Sequence, residues 1–241
     1  RGALALAPET YRILVMASIV PALAAVAVLA LGAKEIGAGK AEATVRPRLS
    51  FRSLDPRLRR FLFAVAVFTL GNSSDSFLVL RASERGVSVA GILGMLLGFN
   101  LVYTLVAAPA GRLSDRLGRR RVIAAGWLFY ALLYLGFGLA NEAWQVVSLF
   151  VLYGIYYGLV EGVGRAFVAD LVPDRALLGS AYGAYHAVLG AFALPASLLA
   201  GILWQGIGDF GGFGPQAPFL FGAGLSLVAT VVLSTVVSSK R

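Results

Sequence analysis

The chain has no cysteine and a single histidine, His186. The first absence excludes disulfides and thiolate metal sites. The second removes most zinc arrangements, which draw on several imidazoles or thiolates. Neither a metal nor a cofactor is expected. Acids are scarce as well: 12 Asp and Glu stand against 21 Lys and Arg, a formal charge of +9. In a soluble protein such a surplus would suggest nucleic acid. Here charge of either sign is rare, 14% of the residues, where soluble domains carry about a quarter. What fills the chain is apolar, 59%. The composition is that of an integral membrane protein, with the lipid bilayer as its first partner and no nucleic acid.

Crossing the hydrocarbon as helix takes about 20 apolar residues. Seven stretches qualify, near 13–33, 61–81, 88–110, 121–140, 144–169, 178–205 and 216–238. None alternates as a barrel strand would, so the fold expected is all-α. The first span contains Pro21, and a polar segment with eight cations follows it over 34–60. There Asp55-Pro56 reads as a helix start, with Pro in the first turn. Loops alternate sides of the membrane from this point. One side collects the eight linker cations, five arginines of the turn at 111–121, Arg175, Lys240 and Arg241. The other holds only Arg1, Arg12, Arg81 and Arg85. Cytoplasmic loops carry the Lys and Arg excess, so the linker, that turn and the C-terminus are expected inside, in a cell (inner) membrane. No signal-peptide pattern precedes the first span, and the chain reads as a fragment.

The turn at 111–121 has the sequence GRLSDRLGRRR. Gly118 is read as supplying the bend, since only Gly adopts positive φ without steric cost. Gly111 is read as letting backbones approach, and Asp115 sits among cations able to pair with it. Gly-x-Leu-x-Asp-Arg-x-Gly-Arg-Arg resembles the signature loop of the major facilitator superfamily of secondary transporters. That family carries it between its second and third helices and again between the eighth and ninth. Here one helix and a basic linker come first, two helices lead to the loop and four follow. The resemblance therefore implies a major-facilitator-type six-helix half bundle preceded by one extra transmembrane helix and a cytoplasmic linker. Its parts would be the last helix of the N-terminal half (1–33), the linker (34–60) and the C-terminal half (61–241). The missing N-terminal half would be a partner.

Polar residues at membrane depth are costly and usually face a bundle interior or a watery cavity. The second span carries Asn72-Ser73-Ser74-Asp75-Ser76 near its middle, with Asn72 and Ser76 read as sharing a helix face. The third has Asn100 and Tyr103. The fifth has Glu161 and Arg165 at a pairing distance of four residues, beside Tyr153 and Tyr157. The sixth has Tyr182 and His186. The fourth and seventh have no charged residue in their cores. The resemblance implies that the second, third, fifth and sixth spans line the central cavity, with the fourth and seventh peripheral and facing lipid. Small-residue rows, Gly91/Gly94/Gly98, Gly154/Gly158/Gly162 and Gly179/Gly183, are read as close-packing faces, and Pro195 as a kink.

Asp75 has no partner on its own helix, so it is the first candidate for carrying a proton or recognising substrate charge, unless its partner lies in the missing half. Glu161 and Arg165 are equally open to a structural reading as a neutral pair, and His186 to a local hydrogen bond. The resemblance also assigns Asp170 to clamp Arg116, Arg119 or Arg120 as part of a gate, and turns Asp115 toward a helix N-terminus of the absent half. The turn after the fifth span, with Pro173, Arg175 and Gly179, departs from the family pattern by moving Arg away from Gly. The expectation is a secondary transporter, not an enzyme, working by alternating access and coupled to protons. Export of small organic compounds leads, with uptake of a sugar or organic ion, or a membrane scaffold that transports nothing, as alternatives.

Overall fold

The computed structural model describes residues 54–236 and a set of helical positions between 16 and 28. The chain divides into two units, Arg1–Arg46 and Pro47–Arg241. In the first unit the described positions belong to an apolar helix, Ile19–Val28. Most of the span expected at 13–33, the linker as far as residue 53, and Lys240 and Arg241 lie outside the described residues.

The second unit is all helix apart from short joints: α1 (Pro56–Gly71), α2 (Ser76–Glu84), α3 (Val89–Leu117), α4 (Arg119–Leu139), α5 (Ala143–Asp170), a 3-10 turn (Arg175–Leu177), α6 (Leu178–Gln205) and α7 (Ala217–Val236). With α1 and α2 taken as one broken span, six spans among the described residues are long and apolar enough to cross a membrane. They agree with the last six expected stretches. Asp55 starts α1 as the sequence suggested: its carboxylate accepts the Arg57 N–H at 2.7 Å, with Pro56 in the first turn.

Two features differ from the sequence reading. The first of these six spans is not continuous, because the backbone leaves the helix at Asn72 and re-enters at Ser76. The shared face expected of Asn72 and Ser76 does not exist, since helical spacing does not hold across the break. Next, the basic segment at 111–121 is hardly a loop. α3 continues to Leu117 and α4 begins at Arg119, so Gly118 alone makes the joint, with φ of 91°. Gly111 therefore sits inside α3, and among the described residues nothing lies within 4 Å of where its Cβ would stand. No close backbone approach is made there. α6 contains Pro195 within one continuous helical stretch.

In lipid the helices gain little from hiding apolar surface from one another, so tight packing holds them together. The α3–α5 crossing shows how. A Cβ at Gly154 would stand 2.5 Å from the Phe99 carbonyl oxygen, and one at Gly158 would stand 2.8 Å from the Val106 side chain. Gly98 meets Val151 in the same crossing. Gly94, Gly162, Gly179 and Gly183 have no such neighbour among the described residues, so the expected small-residue faces shrink to this one crossing. Aromatic rings fill the centre of the unit. Phe68 stacks on Trp127 at 4.7 Å and Tyr130 on Tyr134 at 4.0 Å, pairs that contribute about 0.5–1.5 kcal/mol each.

The fourth span, expected at the periphery, is exposed along one side only. α4 is the most enclosed of the six, packed against α5, α7 and α3. Its exposed residues form one stripe, Arg121, Ala125, Leu128, Leu132, Leu135 and Leu139, which is leucine from Leu128 onward. α7 likewise exposes Leu227, Val228 and Val231. The least enclosed helices are α3 and α6. Exposed polar residues, Asn100, Thr104, Glu161, Arg165 and His186, fall on α3, α5 and α6.

Candidate functional site

The break in the first of these spans is where the polar side chains meet. Asn, Ser and Asp offer the backbone alternative hydrogen bonds and so compete with helix formation; four of them in succession, Asn72 to Asp75, occupy the break. Neighbouring helices then satisfy the groups released. The Tyr130 hydroxyl of α4 reaches Gly71 O at 3.1 Å and Asn72 Oδ1 at 3.2 Å. The Ser74 N–H donates to Ser197 Oγ of α6 at 3.2 Å.

Asp75 gains the partners that its own helix denied it. The hydroxyls of Tyr153 and Tyr157, both on α5, donate to its two carboxylate oxygens at 3.2 and 3.3 Å. No cation is paired with it among the described residues. A carboxylate held by two neutral donors can be charged or protonated without leaving a counter-ion stranded.

A second constellation lies one turn further along α5. Glu161 accepts from Tyr103 of α3 at 2.8 Å and from Arg165 at 3.0 Å. Both charged side chains are nearly half exposed, Glu161 at 43% and Arg165 at 49%, so each keeps one side open to a further ligand. Ring contacts join the two groups: Tyr153 meets Tyr157 at 5.2 Å, and Tyr157 meets Tyr103 at 6.3 Å. The structure thus brings Asn72, Asp75, Tyr103, Tyr157, Glu161 and Arg165 into one connected region. Asn100 is not brought in, since its amide donates to Leu96 O on its own helix at 2.8 Å. His186 is exposed on α6, its ring beside that of Tyr185 at 5.3 Å.

At the Gly118 joint, Arg119 bridges two acids. Its Nε lies 3.0 Å from Asp170 Oδ2 at the end of α5, and its Nη2 lies 3.4 Å from Asp115 Oδ1. Arg119, one of the three arginines considered for pairing with Asp170, makes an ion pair with it. Asp115 thus has a partner within this half. Arg116 lies in the last turn of α3 and Arg120 in the first turn of α4.

Sequence reasoning missed two contributors. Tyr130 was overlooked because the fourth span has no charged residue. Arg81 enters the sequence reading only as one of the cations on the cation-poor side of the membrane. It is 1% exposed and donates to three carbonyls at the end of α4: Phe137 at 3.3 Å, Gly138 at 3.5 Å and Ala140 at 2.9 Å. The last carbonyls of a helix have no partner within it, and Arg81 supplies one. Glu84 pairs with the same guanidinium at 2.8 Å. A charged residue near the end of an apolar span was the available signal.

Comparison with known proteins places this arrangement. A sequence model of the Major Facilitator Superfamily matches residues 60–240. An uncharacterized MFS-type transporter of Methanocaldococcus jannaschii is 32% identical over 192 residues, covering 77% of this chain and 46% of the relative. Multidrug resistance protein 2 of Bacillus subtilis is 30% identical over 145 residues, 58% of this chain and 33% of its own. Sugar efflux transporter A of Dickeya chrysanthemi is 30% identical over 97 residues, 40% of this chain and 23% of its own. The chain spans less than half the length of these relatives. No solved structure matches. The family match over six apolar spans makes the chain a multi-pass membrane protein that belongs to the Major Facilitator Superfamily.

Proposed function

We propose that this chain forms the C-terminal half of a secondary transporter that exports small organic compounds in exchange for protons by alternating access. In this reading residues 1–33 are the last helix of the other half, 34–60 a cytoplasmic linker and 61–241 the half bundle. The protein lies in the cell membrane with the linker and C-terminus inside. The observation that carries the reading is Asp75, set in a helix break at mid-span, whose carboxylate accepts from the hydroxyls of Tyr153 and Tyr157. An ionisable group inside a membrane span is a functional site by default. The polar exposed faces of α3, α5 and α6 form one wall of the substrate path, with the N-terminal half supplying the other. Several relatives are named multidrug resistance, tetracycline resistance or sugar efflux proteins, which favours export over uptake. Arg119, Asp115 and Asp170 act as the inner gate, their ion pairs forming and breaking as the helix ends at Gly118 move.

The test is transport in proteoliposomes carrying the complete transporter, with and without an imposed pH gradient. Gradient-driven movement that disappears in Asp75→Asn, with the protein still folded, supports proton coupling through this residue. Movement that survives the substitution with its gradient dependence intact rejects it. Asp170→Asn is expected to slow the cycle while leaving substrate binding in place; an unchanged rate would remove the gate assignment.

A further inference from the structure

The Glu161–Arg165 pair has more hydrogen-bonding capacity than its neighbours use. Glu161 lies about 14 Å in from the Asp170 end of α5, at the rise of a helix, and so inside the hydrocarbon. Charged groups at such depth are rare and face a bundle interior or a watery cavity. Each oxygen of the Glu161 carboxylate takes one donor, Oε1 from Arg165 and Oε2 from the Tyr103 hydroxyl of α3. A carboxylate has about four acceptor sites, so half of them are left. Arg165 spends only Nη2 on this contact, and among the described residues its other N–H donors make no hydrogen bond. Close to half of each side chain is open, and a partly exposed ion pair adds little to stability. Glu161 also lines a cavity of about 130 Å3 whose walls include Phe61, Val65, Ile123 and Leu189.

We infer that Glu161 and Arg165 recognise a zwitterion of the α-amino acid type on the transport path, with its single apolar side chain in the adjoining cavity. The inference rests on the transport reading and narrows it to a substrate class. Charge sets the class. A lone cation that reached Glu161 would also meet Arg165, and a lone anion at Arg165 would also meet Glu161, so each attraction is opposed by a repulsion. A molecule with ammonium and carboxylate on one carbon meets both groups at once. Its ammonium donates to the unused sites of Glu161, and its carboxylate accepts from the unused N–H groups of Arg165. Such charge-assisted bonds are about twice as strong as neutral ones. Tyr103 fixes the acid from another helix, so the two charges are held in place before the ligand arrives. Size limits the side chain: an apolar cavity of about 150 Å3 admits benzene, so this one takes a side chain of that bulk or less.

The test is calorimetric titration of the complete transporter in lipid nanodiscs. The probes are phenylalanine, its amine-only analogue phenethylamine, its carboxylate-only analogue 3-phenylpropionate, and glucose. Phenylalanine is expected to bind saturably, with each single-charge analogue at least about tenfold weaker, as for one lost hydrogen bond to a charged group. Glu161→Gln should weaken phenylalanine about tenfold and turn the preference toward 3-phenylpropionate, because the guanidinium then stands without its acid. Arg165→Gln should turn it toward phenethylamine. A pair with only a structural role would lower the melting temperature in both variants and move neither preference, which would overturn the inference. Leu189→Phe, which narrows the cavity, should weaken phenylalanine several-fold more than alanine; equal losses would overturn the placement of the side chain. Equal binding of phenylalanine and phenethylamine by the unmodified protein, or no binding of phenylalanine, overturns the zwitterion. Glucose binding in its place overturns it in favour of a sugar site. Transport is scored separately in proteoliposomes. Phenylalanine bound with no compound transported rejects the transport reading and keeps the site, whereas transport of another compound with phenylalanine unbound rejects the site alone.

Discussion

Arg81 shows what one residue can hold at the end of a membrane helix. Its guanidinium is spent on carbonyls of α4 and on Glu84, so removing it strands acceptors in a place water does not reach. Arg81→Met should lower unfolding stability in detergent by about 2–4 kcal/mol, from buried acceptors left unpaired at about 1–3 kcal/mol each. Glu84, 37% exposed, should matter far less: Glu84→Gln is expected to cost below about 1 kcal/mol, as partly exposed ion pairs do. Equal losses in the two variants would show that the ion pair, and not the carbonyl set, fixes α2. The sequence shows a charged residue near a span end but not what it binds. The acceptors lie more than fifty residues away on another helix, and nothing about a carbonyl is written in its side chain. Asp75 was legible as an unusual acid, but its tyrosine partners became visible only once α5 was placed beside the break.

At the scale of elements, the apolar runs gave the last six spans closely, except that α3 continues through the basic segment to Leu117, because length and composition are what a bilayer demands. The break at Asn72–Asp75 was missed by extending helical periodicity across residues that resist it; a run of Asn, Ser, Ser and Asp is itself the physical signal. The glycine rows were legible as small residues but not as contacts. Gly154 and Gly162 look alike in sequence, yet only the first abuts another backbone. Gly154→Leu should therefore force α3 from α5 and lower stability by about 1–3 kcal/mol or more, as overpacking does. Gly162→Ala should be neutral or slightly stabilising, as a helix prefers Ala. Thermal unfolding of the two variants side by side checks this, and similar melting of both would remove the crossing as a determinant.

For the whole molecule, the absence of native cysteine becomes an experimental asset. Single cysteines at exposed joints report sidedness without background. Leu117→Cys, next to Gly118, should react with an impermeant maleimide only after the membrane is opened, if the proposed topology with the basic joint inside holds. Ser83→Cys, at the opposite end of its span, should react in intact cells. The reverse pattern would invert the proposed topology.

The pairing of α3 with α5 has a consequence during synthesis. α3's principal neighbour is α5, not the α4 that follows it directly, and α4 is joined to α3 by Gly118 alone. As the chain emerges, α3 and α4 enter the bilayer as a hairpin whose first arm still lacks its mate. The surface around Gly98 waits against lipid until residues near Gly154 and Gly158 have been made. Chains arrested before α5 carry that uncovered surface, which makes them the products a membrane quality-control protease would be expected to remove first.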